Sequence, residues 1–242
     1  MEVDWQPLES NVNVINSYVS SIGMDTSIYT FQDLLSCEEW AQQMVSRPVL
    51  GLLFIYEIST PHKEARKAEQ EKILKEGQKV SEDLFYMRQF AKNACGTVGV
   101  FHILGNLPTD LKYLIEPEST LGRFLAAAKG QDPESTGKQF MHSDSVKKSH
   151  VEASKEGSTE VTDHLKTTNH FISFVMKDGD LYELDGSKKF AVNHGPTTDD
   201  TFFADACNKV RDFMAIDPSS LNAGLIVLAP RSEFFDDEGQ SY

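Results

Sequence analysis

Basic residues are scarce in this sequence: 23 Lys and Arg stand against 37 Asp and Glu, a formal net charge of −14 over 242 residues. Such a balance repels phosphate backbones and argues against nucleic acid as a partner; a basic protein or peptide suits it better. Cysteine is also sparse. Cys37, Cys95 and Cys207 lie far apart with no CxxC pair, which argues against a disulfide scaffold and a zinc knuckle. His142, His150, His164 and His170 lack the paired spacing of a zinc site, so neither a metal nor another cofactor is expected. The longest apolar run, Val49 to Tyr56, is too short to cross a bilayer, and no membrane association is expected. There is no Asn-x-Ser/Thr sequon, and Met1-Glu2-Val3-Asp4 lacks the basic-then-apolar plan of a secretory leader. These absences together point to a reducing compartment, the cytoplasm.

What is present is ordinary globular material, 40% hydrophobic and 25% charged, long enough for one large domain or two small ones. Ile15, Tyr18, Val19 and Ile22 recur at helical spacing and Gly23 follows as a stop. A short helix is expected around Trp40 and Met44. Val49 to Tyr56 then reads as a central strand buried on both faces. From His62 to Gln89 the mixture of Lys, Arg and Glu predicts an exposed helix or charged connector. Gly96, Gly99 and Gly105 dot an apolar stretch, which suggests close packing against a neighbour. Ser119-Thr120 caps a further helix, and residues 130–168 turn polar and predict a long loop.

Order returns at His170 to Met176, an alternating strand, with a hairpin turn at Lys177-Asp178-Gly179-Asp180 and a return strand Leu181 to Asp185. Phe190 to Asn193 continues the meander. Asp199-Asp200-Thr201 opens a helix expected to bury Phe202, Phe203, Ala206, Val210, Phe213 and Met214, with Cys207 beside them in the core. Leu225 to Ala229 gives the last strand. Helices first and meandering strands later predict an α+β fold with a mainly antiparallel central sheet flanked by helices.

The chemistry points to Cys95. A cysteine just inside a helix N-terminus meets unpaired backbone N–H groups and the positive end of the dipole, and both favour thiolate. The alternative is a small core cysteine. Gln89, six residues earlier, is placed to offer an amide N–H to an oxyanion; His170 opens a strand after the polar stretch; Asp185 ends the next strand across the hairpin, near enough to orient an imidazole. For His170 the alternative is a satisfied core or surface histidine, and for Asp185 the start of a turn.

The stretch Gln89-Phe90-Ala91-Lys92-Asn93-Ala94-Cys95-Gly96-Thr97 resembles the active-site motif of the ubiquitin C-terminal hydrolases, a papain-like family of cysteine proteases. Asn169-His170-Phe171-Ile172, Leu181-Tyr182-Glu183-Leu184-Asp185-Gly186 with Asn193-His194-Gly195, and Trp5-Gln6-Pro7-Leu8-Glu9-Ser10-Asn11 resemble three more of its stretches, in the same order. The likeness runs from about Trp5 to Ala229 and is nearest to the short, single-domain cytosolic members. It implies a papain-like cysteine protease fold with a crossover loop at about 147–166, in a catalytic domain of 1–230 followed by a short acidic tail, 231–242. It also implies a thiol hydrolase that frees small adducts or short peptides from the C-terminal glycine of ubiquitin. Cys95 would be nucleophile, His170 general base, Asp185 its orienter and Gln89 the oxyanion donor. Ubiquitin would touch Pro7, Leu8, Glu9, Asn11, Ala153, Glu156, Glu160 and Leu221.

The expected partner is therefore ubiquitin, or a ubiquitin-like protein such as Nedd8, met by a monomer whose loop acids Glu152, Glu156, Glu160 and Asp163 would suit the tail's arginines. The competing reading is a non-catalytic ubiquitin-binding module. Ser187 stands where many members carry Arg, so a salt bridge from that position is not expected.

Overall fold

The computed structural model describes residues 5–156, 169–219 and 222–231. Its elements run α1 (Val12–Ser21), β1 (Tyr29–Asp33), α2 (Glu39–Gln42), β2 (Gly51–Glu57), α3 (Thr60–Glu76) and α4 (Cys95–Gly105). After a 3-10 turn at Thr109–Leu114 come α5 (Thr120–Ala128), α6 (Pro133–His142), α7 (Asp144–Glu156), β3 (Asn169–Lys177), β4 (Asp180–Leu184), β5 (Val192–Pro196), α8 (Phe202–Ile216) and β6 (Ala223–Pro230).

The six strands form one sheet in the order β1-β6-β2-β3-β4-β5, and every paired neighbour is antiparallel. β2 lies inside the sheet because it has no polar face. Leu53 and Ile55 join one core with Ile15, Tyr18, Val98, Phe101 and Phe124, while Leu52, Phe54 and Tyr56 join a second with Phe203, Val210 and Phe213 of α8. Each such large apolar side chain contributes roughly 1.5–3 kcal/mol by leaving water. The fold is thus α+β with helices on both faces of the sheet, as expected.

Several boundaries differ from the sequence expectation. The polar stretch beginning at Gly130 is largely helical among its described residues, which end at Glu156. Asp132 caps α6 by accepting from the Glu134 and Ser135 N–H groups, both at 3.0 Å, ahead of Pro133. The expected crossover loop is helix α7 as far as Glu156, and residues 157–166 lie outside the described residues. Val146, His150 and Ala153 make a buried stripe on α7 that a polar reading of the histidine hides. Helix α2 ends before Met44, and both Trp40 and Met44 are exposed, as is Met214. Strand β1 gave too weak an alternation to be read. No described helix is long and apolar enough to cross a membrane.

Candidate active site

The nucleophile's position begins with a backbone conformation. Asn93 has φ 62°, a left-handed state that asparagine tolerates better than most residues, and helix α4 starts two residues later at Cys95. Two bonds to the N-terminal segment hold this turn: Trp5 N–H donates to Lys92 O (3.1 Å), and Asn93 Nδ2 donates to Trp5 O (3.0 Å). α4 then lies close on β3. A Cβ on Gly99 would sit 3.0 Å from Leu53 Cδ2 and 3.2 Å from Ser173 Oγ, whose hydroxyl donates to Gly99 O at 2.9 Å.

This packing sets Cys95 beside His170, the second residue of β3. The thiol and the imidazole act on each other, the ring favouring thiolate and the sulfur favouring imidazolium. On its far side, the ring's Nε2 meets Asp185 Oδ1 at 2.7 Å, directly after β4, which leaves Nδ1 for the sulfur. His170 is 8% exposed and Asp185 1%, so the pair is shielded from water. Asp185 Oδ1 also accepts from the backbone N–H (2.9 Å) and hydroxyl (2.7 Å) of Ser187. Its Oδ2 accepts from Arg66 Nη2, which also donates to Ser187 Oγ. Position 187 supplies no salt bridge, as expected, but the guanidinium of α3 supplies one that sequence reasoning missed.

Charge then settles the protonation states. Burial would neutralise Asp185, but His170, Arg66 and Lys188 outweigh it and hold the carboxyl far below its usual range. Burial likewise disfavours imidazolium, yet the Asp185 charge and hydrogen bond, with help from Cys95, push His170 up to about 10. For Cys95 burial favours the thiol, and the His170 hydrogen bond and charge, with backbone N–H bonds from Phe171 and Gly96, win and lower its pKa. The arrangement favours a thiolate–imidazolium pair, a nucleophile set beside its proton store.

Gln89 is tied to the same corner. Its backbone N–H donates to Gly186 O at 2.7 Å and its Nε2 to Ala91 O at 2.9 Å, leaving the second amide hydrogen for another acceptor. A Cβ on Gly186 would lie 2.8 Å from Val98 Cγ1 and 3.0 Å from Gln89 Cβ. Gly186→Ala should therefore cost about 1–3 kcal/mol of unfolding free energy by forcing this corner apart, and should slow turnover with it. Urea unfolding together with steady-state rates checks both, and wild-type values in each would contradict the close approach.

Pro7 and Glu9 are partly exposed near the nucleophile turn. Leu8, by contrast, is 3% exposed and lies against Gly96, and Ala153 is also 3% exposed in the core. Both are therefore packing residues in this state, because the N-terminal segment and α7 fold down on each other and present other side chains to solvent. Asn11 caps α1, its Oδ1 accepting from Asn13 N (2.9 Å) and Val14 N (3.4 Å). The Glu156 side chain, Glu160 and Leu221 lie outside the described residues.

His150, not singled out by its sequence context, links three parts of this region. Its Nε2–H donates to Gln6 O (2.5 Å) and its Nδ1 accepts from Thr97 Oγ1 (2.7 Å), and burial lowers its pKa to about 4. Glu69, Glu183 and His194 bring possible ligand atoms within 4.8 Å of one another. The Lys188 ammonium already binds both carboxylates there, at 2.5 and 2.6 Å, so the cluster is an ion pair network. Cys37 and Cys207 are buried, as expected.

A family model described as ubiquitin carboxyl-terminal hydrolase, family 1, matches residues 5–215. A ubiquitin carboxyl-terminal hydrolase of Drosophila melanogaster is 34% identical over 225 residues, covering 93% of this chain and 96% of that one. The human ubiquitin carboxyl-terminal hydrolase isozyme L1 is 34% identical over 208 residues, covering 86% and 90%. The catalytic domain of Trichinella spiralis UCH37, solved bound to ubiquitin vinyl methyl ester, shares the fold with a TM-score of 0.71 at 17% identity, covering 94% and 96%.

Proposed function

The chain belongs to the ubiquitin carboxyl-terminal hydrolases of family 1 and is a deubiquitinating thiol hydrolase, and we propose that Cys95, His170, Asp185 and Gln89 carry its reaction. The observation that most supports this assignment is the 2.7 Å bond from His170 Nε2 to Asp185 Oδ1, with the Cys95 thiol and the same imidazole each favouring the other's charged form. The Cys95 thiolate attacks the carbonyl carbon of ubiquitin's C-terminal glycine. The second Nε2 hydrogen of Gln89 and the Cys95 backbone N–H receive the developing oxyanion. Imidazolium His170 gives its proton to the leaving amine, and a thioester remains on Cys95. Neutral His170 then takes a proton from water, whose oxygen attacks the thioester, and thiolate leaves.

Asp185 keeps the ring in one orientation and stabilises its charged form throughout. Residues 1–230 act as one catalytic domain and 231–242 as an acidic tail, in a cytoplasmic monomer. Ubiquitin is the partner, with Nedd8 an alternative to be tested, and Pro7, Glu9 and the acidic residues Glu152, Glu156, Glu160 and Asp163 are the proposed contacts for it.

Ubiquitin carrying a C-terminal vinyl methyl ester tests the assignment. The intact mass should rise by one ubiquitin, peptide mapping should place the adduct on Cys95 and on neither Cys37 nor Cys207, and Cys95→Ala should remain unlabelled. Binding of ubiquitin without any adduct would favour the non-catalytic module instead.

A further inference from the structure

We propose that Arg66 of helix α3 is a positioning residue for the hydrolysis, locking the Asp185 carboxylate in the one rotation that presents Oδ1 to His170. This rests on the catalytic assignment above and extends it to a helix outside the motif-bearing segments. A carboxylate turns as a rigid plane about its Cβ–Cγ bond, and a partner on each oxygen resists that turn from both sides. Here the two oxygens are divided. Oδ1 takes His170 Nε2 and both donors of Ser187, and Oδ2 takes Arg66. Arg66 Nη2 also donates to Ser187 Oγ, whose hydroxyl donates to Oδ1, so Arg66, Asp185 and Ser187 close a ring of hydrogen bonds. Nη2 carries two hydrogens, one for each acceptor, and a permanent positive charge, which suits this double duty.

The helix that delivers it is itself anchored. His62 Nε2 meets Phe213 O at 3.1 Å, Glu69 binds Lys188, and Gln70 Oε1 accepts from Lys189 N at 3.2 Å. Arg66, Glu69 and Gln70 fall on one side of α3 by their spacing and all reach the segment 183–189. Most of α3 is solvated, yet the Arg66 side chain is only 14% exposed. A surface charge serving solubility alone would have no reason to be drawn in against a buried carboxylate.

Arg66 has two effects on His170, and they oppose each other in sign. Its positive charge, felt through Asp185, disfavours imidazolium, so losing the charge alone would move the alkaline limb of activity upward. Losing the orientation weakens the Asp185–His170 bond and moves that limb downward. The other charged and titratable groups facing the His170–Asp185 pair are Cys95 and Lys188, with Tyr56, Tyr86 and His102 further out, and none of them is replaced in the variant.

Steady-state hydrolysis of ubiquitin bearing a C-terminal fluorophore, measured across pH for Arg66→Ala and Arg66→Lys, decides the matter. Arg66→Ala should lower kcat roughly 10- to 100-fold with KM within about twofold, and should move the alkaline limb down from its wild-type position. Arg66→Lys should recover most of kcat. An unchanged kcat, an upward shift of the limb, or equal impairment of both variants would overturn the proposal. Should Arg66→Ala not fold, Arg66→Gln, which keeps the stem and a neutral donor, carries the same measurements. Wild-type protein labelled at Cys95 by the vinyl methyl ester separates the two ideas: with labelling, a silent Arg66→Ala sinks this inference alone, and without labelling the catalytic assignment falls and this one with it.

Discussion

Replacing Asp185 by asparagine is expected to lower kcat by about 1,000- to 10,000-fold while ubiquitin still binds. The amide keeps the shape but removes the charge on which the whole array depends. His170 reaches about 10 chiefly because Asp185, with help from Cys95, offsets the cost of burying imidazolium. Without that counter-charge the burial remains, and the ring titrates below its ordinary range. Cys95 then loses the cation that lowers its own pKa, so the balance moves towards the neutral thiol facing a neutral imidazole. The Arg66 guanidinium, left facing an amide, adds a buried charge with its partner gone.

The pH profile carries the same logic with its signs. In the wild type the ion pair forms above the lowered pKa of Cys95 and is lost as pH rises through about 10, where His170 gives up its proton. Turnover should accordingly fall on the alkaline side near that value, and Asp185→Asn should bring the alkaline limb down. Stopped-flow labelling by ubiquitin vinyl methyl ester reads the thiolate directly, and isothermal titration reads binding. A variant that turns over at the wild-type rate, or one that loses ubiquitin while each bound complex still reacts normally, would contradict the orienting role.

Why Asp185 was legible in the sequence and Arg66 was not comes down to range. His170 and Asp185 sit on consecutive strands of a hairpin, so the Lys177–Asp180 turn alone brings them together, and alternation is enough to see it. Cys95 was marked by its helix start and by glycines that predicted close packing against a neighbour, which is β3. The central strand β2 declared itself by having no polar face. Arg66 shares no local element with Asp185: it sits among Lys63, Glu64, Lys67 and Glu71 on a helix whose charges look alike until the sheet's edge selects one side. Helix α7 was misread for a related reason, since its buried stripe includes His150, a residue that counts as polar until Thr97 and the Gln6 carbonyl satisfy both ring nitrogens. Leu8 and Ala153 show the converse. Their segments resemble ubiquitin-contacting stretches, but two of the apolar side chains within them are used to close the core.

Glu183→Gln is expected to lower unfolding free energy by about 3–5 kcal/mol, a large share of a domain's usual 5–15. Lys188 is 0% exposed, and so is Glu183, which holds it at 2.6 Å while its other oxygen meets His194 Nε2 at 3.0 Å. Removing the carboxylate leaves the ammonium with Glu69 alone, itself partly in solvent. The cost arises because a buried charge is stranded, whatever the intact pair is worth against an apolar replacement. Tyr86 Oη lies 2.8 Å from both Asp185 O and Lys188 O, sharing its one hydrogen between them, and ties the turn that carries Lys188. Glu183 is held below its ordinary pKa, so its contribution is present above that ordinary value and is lost as pH falls through the folded one. Lys188 is held above 10.5, so its contribution is complete below that value and is lost only in stronger alkali. The deficit of Glu183→Gln should therefore be level between about pH 5 and 10 and shrink on the acid side, as the wild type protonates Glu183 and loses the same bond. Urea unfolding at neutral and acid pH measures it. Because Glu183 touches neither Cys95 nor His170, the folded variant should keep the wild-type alkaline limb, and a deficit that grew in acid would show that the buried pair is not its source.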